Sequence, residues 1–368
     1  MKIKSIILFA LLLISILTPI NVSARNNVLA EEYQVNIYRA KVIEVLEEKV
    51  FGDTVIQTLQ IRILNRDLKN LETTIANTLV NNAYDINLKR GNRISVHMEL
   101  DDNNKPVFYF HGYDRSIPLM CLCLLFAICI IILGKVKGIR ALIALVITIS
   151  LILFGLVPLL LRGNNPIILS IITCILAAII TCSICFGVGK KSISAIIGLS
   201  GGLLIGGIIA YLFGIIARIT GFSHGDAQML QYLSHGYMFD FRGLLFAGII
   251  IGALGACMDV AIEISSSLTE IKALNPSIGK KELIHSGFNI GRDIMGSMVN
   301  TLILAYTGTS LATILIFAGL DMGFNQIVNL ESISTEIVRA IAGSLGLVFA
   351  IPITVFTFVL LDKKKEQS

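Results

Sequence analysis

Charged residues are scarce in this sequence. They make up 15% of the 368 residues, against about a quarter in a typical soluble domain, whereas hydrophobic residues make up 55%. The mean hydropathy is +0.80. This balance excludes an ordinary soluble protein and favours a chain that has lipid as its solvent. The net charge of +5 comes from short basic loops described below, so it gives no reason to expect a nucleic-acid partner.

Two reactive residue types are missing where function would need them. All seven cysteines lie in apolar runs, and none lies in the polar segment Arg25–Arg115, so a domain there folds without a disulfide. Cys182-x-x-Cys185 has no second pair and no nearby histidine, which favours buried thiols over a metal site. The apolar runs also lack histidine, so Ser200 has no imidazole to activate it as a nucleophile. We therefore predict no enzyme, no metal and no cofactor.

Apolar runs long enough to cross a bilayer, which takes ~20 helical residues, follow the polar segment. There are seven: Ile117–Leu133, Ala141–Leu161, Ile167–Val188, Ile193–Ile216, Gly243–Ser267, Met298–Leu320 and Ala340–Leu361. The sequence thus predicts a seven-span helical membrane domain at residues 116–361 and a short tail at residues 362–368.

The N-terminal 24 residues have the pattern of a secretory signal. Lys2 and Lys4 precede the apolar run Ile6–Ile20, and small residues end at Ala24. A charged region, an apolar region and a small-residue cleavage site typify such signals. An uncleaved anchor helix is the alternative, and either one delivers residues 25–115 to the outside.

Orientation follows from lysine and arginine, which are concentrated in cytoplasmic loops. With the polar segment outside, the cytoplasmic loops carry most of them: Lys135, Lys137, Arg140, Lys190, Lys191, Lys272, Lys280, Lys281, Arg292 and Lys363–Lys365. The outer loops carry only Arg162, Arg218, Arg242 and Arg339. The C-terminus is therefore predicted to be cytoplasmic.

The polar segment has an apolar period of two. Leu59, Ile61 and Ile63 alternate with polar residues, and so do Ile94 and Val96, which indicates half-buried strands. About five strands separated by turns, of which Gly52-Asp53 is one, predict a small all-β domain at residues 25–115. An OB-like barrel or a sandwich would fit. We interpret it as a binding or packing module.

Two carboxylates enter the predicted spans. Asp259 and Glu263 are four residues apart and so lie on one face of a helix. Because charges are expensive in lipid, we expect this pair to face the bundle interior, where Asp259 could serve proton coupling. The alternative is that Glu263 lies at the cytoplasmic interface and that only Asp259 is deep, held by a structural partner. The following span carries a polar stripe of Ser297, Asn300 and Thr301 that could hydrogen-bond Asp259, line a transport path, or only pack helices.

One predicted outer loop is rich in potential ligands: His224, Asp226, His235 and Asp240. Such residues could form a gate over the membrane mouth, hold a divalent metal, or cap helices. Without a fixed ligand spacing we favour the gate.

Glycines recur at close-packing spacing in two spans. Gly202-x-x-x-Gly206 lies in one span and Gly248-x-x-x-Gly252 in the next. Because small residues at this spacing let helices approach closely, we expect these two spans to cross each other through their glycines.

Several sequence blocks resemble the YibE/F family of bacterial membrane proteins. They are Ser223-His224-Gly225-Asp226-Ala227, the run from Gly252-Ala253-Leu254-Gly255 to Asp259-Val260-Ala261-Ile262, Asn289-Ile290-Gly291-Arg292-Asp293-Ile294-Met295-Gly296, and Asn300-Thr301-Leu302-Ile303-Leu304-Ala305-Tyr306. The resemblance implies a Gram-positive bacterial cytoplasmic-membrane protein, and it carries over no functional residues.

A weaker, partial resemblance links the Asp259 region to resistance-nodulation-division permeases and SecD/SecF export proteins, which use a deep acid for proton coupling. The chain is similar to them in the order Gly252, Asp259, Glu263, Glu270, followed by a span with Thr301 and Gly308. It departs from them in its seven spans and its much smaller exported domain.

From the sequence we predict a transporter or export-coupled permease that is driven by protons through Asp259. The alternative is a non-transporting scaffold or sensor whose β-domain binds an envelope partner. The partners predicted are the lipid bilayer and an unidentified solute or envelope protein, and the oligomeric state is left open.

Overall fold

The structure, a computed structural model, describes residues 36–80, 85–101, 105–223, 225–233, 239–320 and 322–362. The described residues divide into two compact units: a β unit that contains the strands and ends at Ile132, and a helical unit that begins at Leu133. The predicted signal or anchor at residues 1–24 lies outside the described residues.

The β unit holds five strands: β1 Asn36–Phe51, β2 Thr54–Ile63, β3 Glu72–Leu79, β4 Arg93–Leu100 and β5 Pro106–Tyr113. They form one sheet in the order β3-β2-β1-β4-β5, and each neighbouring pair is antiparallel. The long strand β1 pairs with β2 through one part of its length and with β4 through the other. The outermost strands β3 and β5 also approach each other.

The predicted alternation sets the core of this sheet. Leu59, Ile61, Ile63, Ile94 and Val96 are fully buried, so these side chains share the inner face, as the period of two indicates. The predicted Gly52-Asp53 turn connects β1 to β2, and Gly52 has a positive φ of 59° there. The all-β prediction is confirmed.

The helical part consists of nine helices: α1 Ser116–Leu161, α2 Pro166–Phe186, α3 Lys190–Ile216, α4 Gly225–Leu233, α5 Phe241–Leu274, α6 Lys280–Thr309, α7 Leu311–Gly319, α8 Phe324–Val328 and α9 Glu331–Leu361. This tally covers the described residues only. Asn165 begins α2, because its side-chain oxygen accepts from the backbone N–H groups of Ile167 and Ile168 at 3.0 and 3.1 Å.

Five of these helices, α1, α2, α3, α5 and α9, are long and apolar enough to cross a membrane. A sixth span results if α6 and α7, bent by 60° at their junction, form one. Within the described residues this count differs from the predicted seven because Ser116–Leu161, which contains the first two predicted spans, is counted as one stretch of 46 residues. Two helices meet within this stretch at a kink. Its only non-helical backbone is at Lys135 (φ 49°, ψ −129°), between those spans.

The closest helix contact joins α3 to α9. A Cβ added at Gly202 would lie 2.5 Å from the carbonyl oxygen of Gly346 and 2.7 Å from Cβ of Ala350, and one added at Gly206 would lie 3.0 Å from the oxygen of Ala342. Only glycine allows the backbones to come this near.

This geometry corrects one prediction. The Gly202-x-x-x-Gly206 face packs on α9 rather than on α5, and Gly248 meets nothing within 4 Å of an added Cβ. Helices α3 and α5 do touch, but through Gly207 against Ile250 and Gly214 against Phe246. The spacing identified a close contact of α3 and misassigned its partner, because glycine spacing marks a face and not the helix opposite it.

Candidate functional site

Helix α5 has one buried face and one exposed stripe. Cys257, Val260, Ala261 and Ile264 on the buried face have no exposed surface, and they pack in the main apolar core of the helical unit. The opposite positions are all exposed: Gly248, Gly252, Gly255, Asp259 and Glu263. The two predicted carboxylates therefore share a face, as their spacing requires.

That face is not the bundle interior, and the prediction that the carboxylates point inward is wrong for the single chain. The interior of the bundle is filled by larger apolar side chains of α5, including Ile250 and Leu254, against α3 and α9. The narrow stripe of glycines and acids is left outside. Within the described residues neither Asp259 nor Glu263 has a hydrogen bond or an ion pair.

Helix α6 runs antiparallel to α5 and brings its polar stripe to the same level. A Cβ added at Gly252 would lie 3.2 Å from Oη of Tyr306, and one added at Gly291 would lie 3.5 Å from Cδ1 of Ile264. Interpolation between these contacts puts Ser297 level with Asp259. The polar stripe that the sequence predicts to lie beside Asp259 is therefore at the same depth as Asp259.

The polar stripe does not bond the carboxylate. The Ser297 hydroxyl donates to the Ile294 carbonyl oxygen at 3.0 Å, and the Thr301 hydroxyl donates to the Ser297 carbonyl oxygen at 2.9 Å. Both hydroxyls therefore donate to backbone carbonyl oxygens of α6 itself. Asn300 is exposed, and its amide is the group of this stripe that remains to face a ligand or a partner.

These residues define what we call the α5–α6 face: Gly248, Gly252, Gly255, Asp259 and Glu263 on α5, with Gly296, Ser297, Asn300, Thr301 and Gly308 on α6. An added Cβ at Gly248, Gly255, Gly296 or Gly308 would have no atom of the described chain within 4 Å. The face is therefore polar and is open at these four glycines, whereas Tyr306 lies against Gly252.

The predicted outer-loop gate is described only in part. His224 and His235, and the side chain of Asp226, lie outside the described residues. Asp240 begins α5, and its carboxylate accepts from the backbone N–H of Gly243 at 2.8 Å. This is a helix cap, the structural alternative considered from the sequence. The described residues contain no group of three or more potential metal ligands.

The match to a family model covers residues 122–364 and carries the description YibE/F-like protein. The chain belongs to the YibE/F family. No curated protein and no solved structure matches it.

Within this YibE/F chain the match contains the whole α5–α6 face and excludes the sheet of the β unit. The family resemblance read from the sequence is confirmed for the helical part. The likeness to resistance-nodulation-division permeases and SecD/SecF proteins stays a prediction.

A second polar cluster was missed from the sequence. Arg339 and Glu336, both on α9, form an ion pair at 2.8 Å, and their side chains are only 22% and 13% exposed. Tyr306 of α6 interacts electrostatically with both. The sequence analysis predicts an outer loop at Arg339, whereas the structure has this residue on α9. Opposite charges three residues apart, directly before a long apolar run, are a helical signal that could have identified it.

At the opposite end of the bundle, Asp362 joins two helices to the end of α9. Its carboxylate lies 3.1 Å from Nζ of Lys190 on α3 and 3.1 Å from Nζ of Lys272 on α5. Partial burial favours the protonated acid, but the hydrogen bonds from both lysines outweigh it and lower the pKa of Asp362 below its ordinary 3.8. These two ion pairs hold the ends of α3, α5 and α9 together.

Proposed function

We propose that this YibE/F protein is a proton-coupled permease of the bacterial cytoplasmic membrane, with Asp259 as the coupling carboxylate, rather than an enzyme. The observation that carries the proposal is an acid without a hydrogen-bond partner in the described chain, in the middle of the 34-residue apolar helix α5. A charge at the bilayer centre costs about 2.5–3.5 kcal/mol even on insertion scales. Such residues mark ion paths and proton relays in membrane proteins.

The depth of the polar stripe on α6 supports a proton path along the α5–α6 face. Asp259 lies beside Ser297 in depth, with the exposed amide of Asn300 one turn further along α6. Glu263 follows one turn along α5 toward Lys272. Two carboxylates therefore follow one another along this face, one helical turn apart, with the exposed amide of Asn300 beside them.

The proposal includes seven spans with the β unit outside and the C-terminus in the cytoplasm. A straight 46-residue helix would be about 69 Å long at ~1.5 Å per residue, more than twice the ~30 Å hydrocarbon thickness. The break at Lys135 coincides with the basic loop expected between two spans. Reporter fusions after Ser368 and within residues 25–115 test this topology, and an externally active C-terminal fusion would contradict it.

The test of function uses conservative changes at Asp259. In a strain where deletion of the gene has a clear phenotype, Asp259→Asn should abolish activity that depends on a proton gradient while the protein still inserts and folds. Asp259→Glu should retain part of it, because the acid is kept. Glu263→Gln should be milder, since that position is nearer the cytoplasmic interface.

The matched control is Glu270→Gln, an exposed acid on the same face near the end of α5. It should leave activity unchanged. Full activity of Asp259→Asn would refute proton coupling through this residue, because an amide can replace a structural hydrogen bond but cannot carry a proton.

The second candidate function is a scaffold or sensor, favoured by one feature of the β unit. The tip of the β1–β2 hairpin exposes large apolar side chains: Leu46 is 50%, Val50 70% and Phe51 61% exposed. Exposed apolar patches often mark binding surfaces.

We propose an OB-like fold for this unit, supported by five antiparallel strands whose outermost members approach each other.

Changes at the hairpin tip separate the two functions. Val50→Ser combined with Phe51→Ser should leave gradient-dependent activity intact in a permease. In a scaffold that binds an envelope partner, the same double variant should lose function while Asp259→Asn keeps it.

A further inference from the structure

The exposed face of the β sheet carries a row of basic side chains. Lys41 of β1 lies directly opposite Arg62 of β2 and Arg93 of β4 in the strand register. All three residues are exposed, and directly opposed residues of antiparallel strands point to the same face of a sheet. Like charges in this arrangement are destabilising. A bound anion would therefore relieve a repulsion that the sheet contains.

Two carboxylates compensate only part of this charge. Glu72 of β3 accepts from two nitrogens of the Arg62 guanidinium at 3.0 and 2.7 Å. Asp114, which follows β5, interacts electrostatically with Arg93. The ammonium group of Lys41, in the centre of the row, has no hydrogen bond or ion pair within the described residues. The central base of the row is therefore the one left unneutralised.

A cleft of about 290 Å³ opens beside this central base. Lys41, Arg62 and Arg90 form its charged lining, and no acidic side chain of the described chain lines it. Arg90 is exposed, and its guanidinium, like the Lys41 ammonium, has no hydrogen bond or ion pair in the part of the chain that the structure describes. Guanidinium and ammonium groups are the side chains that bind phosphate oxygens in proteins. The cleft is thus suited to a phosphate group.

The basic row lies close to the start of a membrane helix. The backbone N–H of Asp114 donates to the carbonyl oxygen of Arg93 at 3.1 Å, and α1 begins two residues later, at Ser116. Because a chain extends at most ~3.6 Å per residue, Arg93 lies within about 10 Å of the beginning of α1. Lys41 is one strand further, which adds ~4.8 Å. Phospholipid headgroups occupy this zone beside the hydrocarbon core.

We propose that this basic cleft binds the phosphate of an anionic phospholipid headgroup in the leaflet that α1 enters, and thereby holds the β unit on the membrane surface. Lys41 and Arg90 donate to the phosphate oxygens, and Arg62 adds a third positive charge. Free phosphate has the same chemistry, but only a lipid headgroup is held at the level where α1 begins. Bases near an anionic membrane surface are attracted to it in this way.

The proposal is independent of proton coupling. The cleft belongs to the β unit, whereas Asp259 belongs to the helical unit. Lipid binding and gradient-dependent activity are therefore measured separately, and loss of one leaves the other standing.

The first experiment counts lipids bound to the full-length protein. The protein in a neutral detergent is titrated with phosphatidylglycerol or with phosphatidylcholine of the same acyl chains, and bound lipids are counted by native mass spectrometry. Lys41→Gln combined with Arg90→Gln should weaken one tight phosphatidylglycerol site by about ten-fold or more. Binding of phosphatidylcholine should not change. An unchanged number of tight phosphatidylglycerol sites would overturn the proposal.

The matched control is Lys49→Gln combined with Lys105→Gln. It removes the same charge at exposed positions, one at the hairpin end of β1 and one beside the start of β5, so it should keep the site. An equal loss in this control would show attraction to overall charge and contradict a role for the cleft. Displacement of phosphatidylglycerol by inorganic phosphate at equal concentration would make the ligand a free anion and end the lipid assignment.

The second experiment separates ligand binding from a structural role of Lys41. Full-length protein is placed in nanodiscs of phosphatidylcholine, alone or mixed with phosphatidylglycerol, and protease resistance of the β unit is measured. Without phosphatidylglycerol, Lys41→Gln should not lower resistance, because it removes a repulsion. With phosphatidylglycerol, wild type should be more resistant than the variant, because a ligand of the folded state stabilises it. Equal losses in both bilayers would mean a structural lysine and refute the site.

Discussion

The helical unit contains two glycine-rich surfaces with opposite environments. On α3, Gly202 and Gly206 press against the backbone of α9, where an added Cβ at Gly202 would lie 2.5 Å from a carbonyl oxygen. On α5, Gly248 and Gly255 have no atom of the described chain within 4 Å of an added Cβ. Both surfaces are glycines at helical spacing, and what differs is their neighbours.

This difference separates two uses of glycine in a membrane helix. On the closed α3–α9 contact, glycine permits close packing within one chain. On the open α5–α6 face, the same stripe lies beside Asp259 and Glu263, which lipid cannot solvate. The closed surface stabilises the single chain, whereas the open one acquires a role only when water or another protein surface covers it.

The largest expected effect is at the closed contact. Gly202→Leu would drive a branched side chain into the backbone of Gly346 and into Ala350, and overpacking of this kind costs about 3 kcal/mol or more when the backbone cannot yield. We expect a lowered midpoint of thermal unfolding for the purified protein, or failure to accumulate folded protein.

Two comparisons sharpen this prediction. Gly255→Leu should leave the midpoint of the detergent-solubilised monomer unchanged, and Leu204→Ala, at an exposed position of α3, should have a small effect. Equal losses for Gly202→Leu and Gly255→Leu would remove the distinction between a closed and an open surface.

Parts of this arrangement were readable from the sequence for identifiable reasons. Strand alternation predicted the buried face of Leu59, Ile61 and Ile63, because a period of two fixes which side chains share a face. The length of the apolar runs predicted the helices that are able to cross a membrane. Both signals are local in the chain.

What the sequence could not supply was the identity of neighbours. The partner of Gly202 is more than a hundred residues away on α9, and nothing in its spacing indicates Gly346. The inward direction expected for Asp259 assumed that the single chain provides all its surroundings. Arg339 was expected in a loop because hydropathy alone does not extend α9 over the charged turn that contains it.

A smaller effect is expected where Asp362 ties α3, α5 and α9 together. Its pKa is lowered by the hydrogen bonds from Lys190 and Lys272, despite partial burial. A carboxyl group whose pKa is lower in the folded than in the unfolded state stabilises the fold at pH values above its unfolded pKa. That contribution disappears as the pH falls through the folded pKa. Asp362→Asn should therefore reduce stability by ~1 kcal/mol near pH 7, since the lysines are partly exposed.

The pH profile gives the check. The difference in unfolding midpoint between wild type and Asp362→Asn should be constant from pH 8 to about 5 and should shrink below pH ~4. A difference that grew as the pH fell would contradict the assigned sign.

The smallest effect concerns the polar groups within the closed part of the bundle. Ser194 on α3 and Ser265 on α5 are fully buried, and their hydroxyl oxygens are 3.0 Å apart. Ser265→Ala removes one partner, but the Ser194 hydroxyl also has the Lys191 carbonyl oxygen at 3.0 Å. The loss should therefore be close to the ~0.6 kcal/mol average for hydrogen bonds between membrane helices. Asn300→Ala, on the open face, should not lower the unfolding midpoint of the monomer in detergent, whereas a loss larger than that of Ser265→Ala would show that the amide is bonded within its own chain.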